Sequence, residues 1–139
     1  MCKKSVCLLA FVLMIGLSGV VRATDYYVSS TGNDNNSGTS PTEAWQTISK
    51  VNSVDFADGD SVLFEAGQTF SGTIVFDVND GGTPTTPLTV GSYGSGGDGR
   101  STISSGTSDG LYMYNRAGTD IKDLIFVGGG RLEKVDFSG

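Results

Sequence analysis

Between residues 61 and 127, short apolar runs alternate with breaks rich in glycine, asparagine, aspartate and serine. Val62-Leu63-Phe64, Ile74-Val75-Phe76, Leu88-Thr89-Val90 and Leu124-Ile125-Phe126-Val127 are β-branched, aromatic or leucine-rich and too short for independent helices. The pattern predicts strands over 61–65, 69–77, 88–93, 101–104, 111–114 and 121–127, preceded by one over 25–29. Turn formers fill residues 30–40. One helix is predicted, over 40–53. Ser40-Pro41-Thr42-Glu43 fits a capping box, and Ala44, Trp45, Ile48 and Val51 then recur at helical spacing.

The strands return at intervals that point to stacking. Leu63, Leu88 and Leu111 lie 25 and 23 residues apart, and Ile74, Ile103 and Ile125 lie 29 and 22 apart. Short strands recurring every ~20–30 residues are what a coiled β-solenoid produces, each coil setting its strands beside those of the next. An antiparallel sandwich offers the same short strands and frequent turns and stays open as the alternative.

The N-terminus has a different pattern. Met1-Cys2-Lys3-Lys4 is basic, residues 8–15 are continuously apolar, and Val21-Arg22-Ala23 ends the stretch on small residues. These are the three parts of a cleavable secretory signal over 1–23, with cleavage after Ala23. A retained membrane anchor needs about 18 or more apolar residues. Export makes the chain secreted, periplasmic or displayed at the cell surface, with no membrane association after cleavage. Both cysteines, Cys2 and Cys7, leave with the signal, so residues 24–139 form no disulfide among themselves. Six basic residues then remain against 15 acidic ones, a net charge of −9 that disfavours nucleic acid as a partner. With no histidine anywhere, a Ser-His-Asp triad, a Cys-His pair or an imidazole metal site cannot be built.

Tyr26-Tyr27-Val28-Ser29-Ser30-Thr31-Gly32-Asn33-Asp34, Gly38-Thr39-Ser40 and Trp45-Gln46-Thr47-Ile48 resemble the N-terminal segment of secreted bacterial right-handed parallel β-helix proteins of the pectate-lyase-like superfamily. The resemblance continues through Asp58-Gly59-Asp60-Ser61-Val62-Leu63-Phe64, Gly67-Gln68-Thr69-Phe70, the run from Pro87 to Gly94 and the run from Ile121 to Phe126, in order along nearly the whole mature chain. It implies an all-β fold in which the 40–53 helix caps the first coil. It also implies that residues 24–139 are the cap and first few coils of a longer protein, incomplete at the C-terminus. The implied partner is an extracellular polysaccharide.

Two sets of residues are candidates for binding. Asp55, Asp58 and Asp60, gathered around Gly59, offer oxygens for Ca2+, although Asp-Gly-Asp before a strand is also a common turn. The loop from Asn33 to Gly38 fails as an EF-hand, because the twelfth position counted from Asp34 is Trp45. Tyr112, Tyr114 and Arg116 are candidates for carbohydrate contact, the alternative for the tyrosines being partial burial in the core. The lyases of the resembled superfamily use Lys or Arg as the base with calcium acidifying the proton. Lys50, Arg100, Arg116, Lys122, Arg131 and Lys134 are the residues of that type here, and none matches a catalytic motif. The expected function is therefore that of a polysaccharide lyase or glycoside hydrolase whose active residues lie beyond Gly139, or of a non-catalytic adhesion protein. Intact-mass analysis of the exported product is expected to show a chain beginning at Thr24; a product retaining Lys3 and Lys4 would refute the cleavage.

Overall fold

Parallel pairing of short strands accounts for the order in a computed structural model that describes residues 22–114 and 118–129. Among these residues nine strands form: β1 (Asp25–Val28), β2 (Ser61–Glu65), β3 (Thr69–Ser71), β4 (Ile74–Phe76), β5 (Leu88–Tyr93), β6 (Ser101–Gly106), β7 (Leu111–Met113), β8 (Thr119–Ile121) and β9 (Leu124–Gly128). They make three sheets, ordered β1-β2-β5-β8, β3-β6-β9 and β4-β7. The chain visits the sheets in turn, so β2, β3 and β4 are followed by β5, β6 and β7 on the same three sheets. Every strand pair is parallel, which removes the antiparallel sandwich. Among the described residues no helix is long and apolar enough to cross a membrane.

Alternation along each strand decides what faces inward. In β2, Val62 and Phe64 are buried, with Leu63 and Glu65 half-exposed; in β4, Ile74 and Phe76 are buried and Val75 is exposed. Inward columns follow from the register, such as Tyr26-Val62-Val90-Ile121 in the first sheet and Phe70-Ile103-Phe126 in the second. Phe64 and Phe70 meet edge to face across two sheets, 4.9 Å between centroids. Each fully buried side chain of this size contributes about 1.5–3 kcal/mol.

The stacking partners differ from those the sequence intervals predict. Leu63 lies beside Gly91, Leu88 beside Thr119 and Leu111 beside Ile74. The connecting loops are unequal, so partners are offset by anything from 22 residues (Gly106 to Gly128) to 37 (Ile74 to Leu111), and no single interval can find them. The predicted strand over 69–77 is two strands turning at Gly72, whose φ is 132°. That over 121–127 is likewise divided, with Asp123 at φ 56° between β8 and β9.

The predicted helix over 40–53 is replaced by three pieces. Pro41–Glu43 is a single 3-10 turn, Ala44 is extended (ψ 146°), Trp45 bridges in parallel to Val28, and only Ile48–Val51 (α1) is α-helical. The polar loop before it competes for the backbone. Asn33 N–H and the Asn36 amide both donate to Ala44 C=O, and Gly38 N–H donates to Glu43 C=O. Ser29 N–H donates to Trp45 C=O, and Trp45 N–H donates to Tyr27 C=O. Ser40 makes no side-chain cap; Thr47 does, accepting from Lys50 N–H at 3.1 Å. The four apolar positions are buried as their spacing predicts, on a different backbone. Trp45 stacks on Tyr26 at 5.0 Å and donates its indole N–H to Asn36 C=O at 3.0 Å. Gly38, at φ 76°, forms its floor, where a Cβ would stand 2.3 Å from the indole.

Side chains close this end of the stack. Asn52 donates its amide N–H to Thr73 C=O (2.9 Å) and accepts from Val75 N–H (3.0 Å), pairing with the outer edge of β4 as a strand would. Asp34 accepts from the N–H groups of Gln46 (2.7 Å) and Thr47 (3.0 Å) and from the Thr47 hydroxyl (2.7 Å). Burial alone pushes the Asp34 carboxyl up. The Thr47 hydroxyl, the two N–H groups and the nearby Lys50 outweigh that and hold it below its ordinary value of 3.8.

Two outcomes follow from this cap. Asn52→Ala leaves a donor and an acceptor of β4 without protein partners and is expected to cost about 1–3 kcal/mol in urea unfolding; Ser49→Ala, on the exposed side of α1, is expected to stay within about 0.5 kcal/mol. Equal effects would remove the edge-pairing role. Because the folded pKa of Asp34 is the lower one, its contribution is present above pH 3.8 and is lost as pH falls through the folded value. Asp34→Asn is therefore expected to flatten the acid limb of stability against pH, and parallel profiles for the two proteins would contradict it.

Candidate functional site

The acidic residues were the first candidates, and the structure spends them on backbone. Asp60 is buried, its two oxygens accepting from Thr24 N–H and Ala57 N–H, each at 2.8 Å. Asp58 accepts from Gly82 N–H at 2.7 Å. Asp55 is exposed. Asp55, Asp58 and Asp60 are thus not brought together as one ligand set, and no three His, Cys, Asp or Glu side chains among the described residues form a group able to hold a metal ion. The physical reason is local: Asp60 closes the turn from Ala57 and holds Thr24, while Asp58 is engaged by Gly82 N–H. Asp80, also buried, repeats the device by accepting from Phe56 N–H and Asp77 N–H.

The carbohydrate-contact candidates divide. Tyr112 is in β7, where Leu111 and Met113 pack against the core and Tyr112 faces out, 49% exposed. It stands beside the outward Val75 of β4, and Tyr114, 55% exposed, follows as its N–H bonds Phe76 C=O. These tyrosines are surface residues rather than core. Arg116 lies outside the described residues, as do Arg131, Lys134 and residues 1–21 of the signal expected over 1–23. Of the other basic candidates, Lys50 sits 5.5 Å over the Trp45 ring, Arg100 pairs with Asp98 at 3.1 Å, and Lys122 runs its stem past Gly91.

Sequence reasoning missed a second aromatic surface on the outer face of the first sheet. Tyr27 and Tyr93 meet edge to face at 5.0 Å, with Leu63 beside Tyr27 and Glu65 beside Tyr93 in the register. Burial foremost, then the Glu65 charge, Tyr27 and a hydrogen bond to Glu65, pushes the Tyr93 hydroxyl up to about 12. It therefore stays protonated and donating across the neutral range. The signal in the sequence was alternation: residues 27, 63, 65 and 93 all fall on outward positions once the inward ones are assigned.

A shallow pocket of about 370 Å3 was also missed. It lies between the cap and β3, lined by Ser30, Gln46, Thr47, Ile48, Thr69, Phe70 and Ser71. Ser30 is held there on both sides, its N–H donating to the Gln68 side-chain oxygen (2.6 Å) and its C=O accepting from the Gln46 amide (3.3 Å). The lining comes from three separate segments, at Ser30, 46–48 and 69–71, none carrying a motif, so no pattern in the chain announces it.

No family model matches this chain. Among curated proteins it is similar to the lacto-N-biosidase of Bifidobacterium longum subsp. longum, with 39% identity over 85 residues, which is 59% of this chain. The chain spans 5% of that protein's length. Among solved structures it resembles GH136 lacto-N-biosidase from Eubacterium ramulus. The selenomethionine derivative matches with a TM-score of 0.65 and 22% identity, over 84% of this chain and 22% of that one. The native protein matches with a TM-score of 0.62 and 24% identity, over 80% and 21%. At these identities the structural likeness is one of fold: a mostly β chain of parallel sheets.

Proposed function

We propose that this chain is the N-terminal part of an exported glycoside hydrolase that acts on lacto-N-biose-bearing glycans, its sheets being the first turns of a right-handed parallel β-helix. The observation that carries the reading is the 39% identity over 85 residues to a lacto-N-biosidase, and the fold likeness to a second lacto-N-biosidase is consistent with it. The cyclic order of the three parallel sheets supports the helical winding. The signal-like residues 1–23 support export.

Glycoside hydrolysis ordinarily uses two carboxyl groups flanking the scissile bond, one as acid and the other as base or nucleophile. Asp34, Asp58, Asp60 and Asp80 each accept backbone N–H groups, which fixes loops and draws their oxygens away from such work. On this reading the catalytic pair lies downstream of Gly139, and residues 24–129 supply the closed end of the stack and outward surfaces for glycan. Tyr112 and Tyr114 are suited to stacking on sugar rings, and Tyr27, Tyr93 and Glu65 to combined stacking and hydrogen bonding.

The test is turnover of an aryl lacto-N-bioside by the intact gene product and by the 139-residue protein. Aryl alcohol is expected from the intact product and none from the 139-residue protein. Silence of the intact product on this substrate, with unsaturated products appearing from pectate or alginate, would replace hydrolysis with β-elimination. Turnover by the 139 residues alone would put the catalytic pair inside them.

A further inference from the structure

The pocket beside β3 opens onto a piece of strand edge that the cap leaves uncovered. Strands in a parallel ladder direct alternate residues' N–H and C=O groups to opposite sides. In β3 the residues directed at β6 are identified by Thr102 N–H donating to Gln68 C=O and Gly72 N–H donating to Ser104 C=O. Phe70 shares that side, so Thr69 and Ser71 direct their backbone groups away from it. β3 is the outer strand of its sheet, and the pocket is where those groups emerge.

The neighbouring edge shows what such groups bind. At β4 the equivalent pair, C=O of the preceding Thr73 and N–H of Val75, is covered by the donor and the acceptor that the Asn52 amide carries on one carbon. Thr69 C=O and Ser71 N–H are the same pair four residues earlier, and among the described residues no side chain covers them as Asn52 covers Thr73 and Val75. The bare stretch is short. It is bounded before Thr69 by the Ser30 contact to Gln68 and after Ser71 by the Asn52 contact to Thr73. An added β-strand, which needs a run of free edge, has no room; a compact group with one donor beside one acceptor has.

We propose that this pocket binds a neutral sugar residue through two adjacent hydroxyls, one donating to Thr69 C=O and its neighbour accepting from Ser71 N–H. A vicinal diol places a donor and an acceptor side by side on neighbouring carbons, a slightly wider pair than the one the Asn52 amide carries on a single carbon. The side chains of Ser30, Gln46, Thr69 and Ser71 offer further hydroxyl and amide groups, and Ile48 and Phe70, themselves buried in the core, close the floor. About 370 Å3 is at the small end of ligand pockets and suits a single ring. The choice of sugar over another ligand with the same donor–acceptor pair rests on the proposed carbohydrate role, whereas the slot itself does not. The site holds glycan and performs no chemistry.

The experiment is amide-resolved NMR titration of the 139-residue protein with methyl β-galactoside, its fully O-methylated analogue, acetamide and the blocked peptide acetyl-Thr-Val-Thr-Val-amide. The galactoside is expected to move the Thr69–Ser71 and Ser30 amide signals saturably, with a Kd on the order of 1 mM, and the O-methylated analogue is expected not to. Ser71→Pro removes the one donor while keeping the β6 side of the strand intact and is expected to weaken binding roughly tenfold. Ser30→Trp fills the mouth and is expected to abolish it, with melting curves confirming that both variants fold. Equal shifts by the O-methylated analogue, tighter binding of acetamide or the peptide, or unchanged affinity in both variants would each overturn the proposal. An intact gene product that cleaves the aryl lacto-N-bioside while the galactoside leaves Ser71 unmoved would overturn the slot and keep the hydrolase reading.

Discussion

A stack of parallel strands has an end, and at that end every strand carries N–H and C=O groups with no strand to meet them. Much of the first half of this chain answers that constraint, and it answers differently on each sheet. On the first sheet the chain itself returns: Trp45 bridges to Val28, exchanging hydrogen bonds with Tyr27 and Ser29. On the third, the Asn52 amide stands in for a strand. On the second, Gln68 reaches out to Ser30 and the rest of the β3 edge opens into a pocket. An unpaired, flat edge invites pairing with other chains, so covering it is a condition for a monodisperse protein as well as for a stable one.

The aspartates extend the same logic into the loops. A protein whose residues 24–139 contain no cysteine cannot staple its loops covalently, and a carboxylate, with two oxygens, is the side chain best able to accept from several backbone donors at once. Asp34, Asp60 and Asp80 each take two or more backbone N–H groups from segments that would otherwise hang between strands. A carboxylate accepts such bonds more strongly than a neutral group does. Part of the acidic balance of the sequence is thereby accounted for as backbone chemistry.

How much of this was legible in advance depends on the range of the signal. Strand positions such as 61–65 and 88–93 were readable because alternation and β-branched composition are local properties. The burial of Trp45, Ile48 and Val51 was readable too, since spacing reports which side chains share a face. The helix assigned to them was not, because Ala44 and Trp45 are claimed by Asn33, Asn36, Tyr27 and Ser29, partners at a distance that helical periodicity does not register. Stacking partners failed for a similar reason: unequal loops erase a fixed interval, so Leu63 meets Gly91 rather than Leu88. Asp58 and Asp60 are neighbours in sequence, but they bind different segments, Gly82 in one case and Thr24 and Ala57 in the other, while Asp55 is exposed.

The same geometry bears on what this surface can hold. Once alternation commits Tyr26, Val62 and Val90 to the interior, Tyr27, Leu63 and Gly91 must stand on the outside, one strand above another. Strands in a sheet are about 4.8 Å apart, so matched outward positions form ladders with that repeat, and Val75 beside Tyr112 begins such a ladder on the third sheet. A ligand that complements a ladder must itself repeat on a similar scale along one direction, as a chain of sugar rings does and a compact small molecule does not. Aromatic rungs with a protonated Tyr93 hydroxyl and a Glu65 carboxylate beside them supply stacking and hydrogen bonding without positive charge. Under the proposed carbohydrate role, that combination favours a neutral glycan over a polyuronate, whose carboxylates the net acidity of the chain would repel.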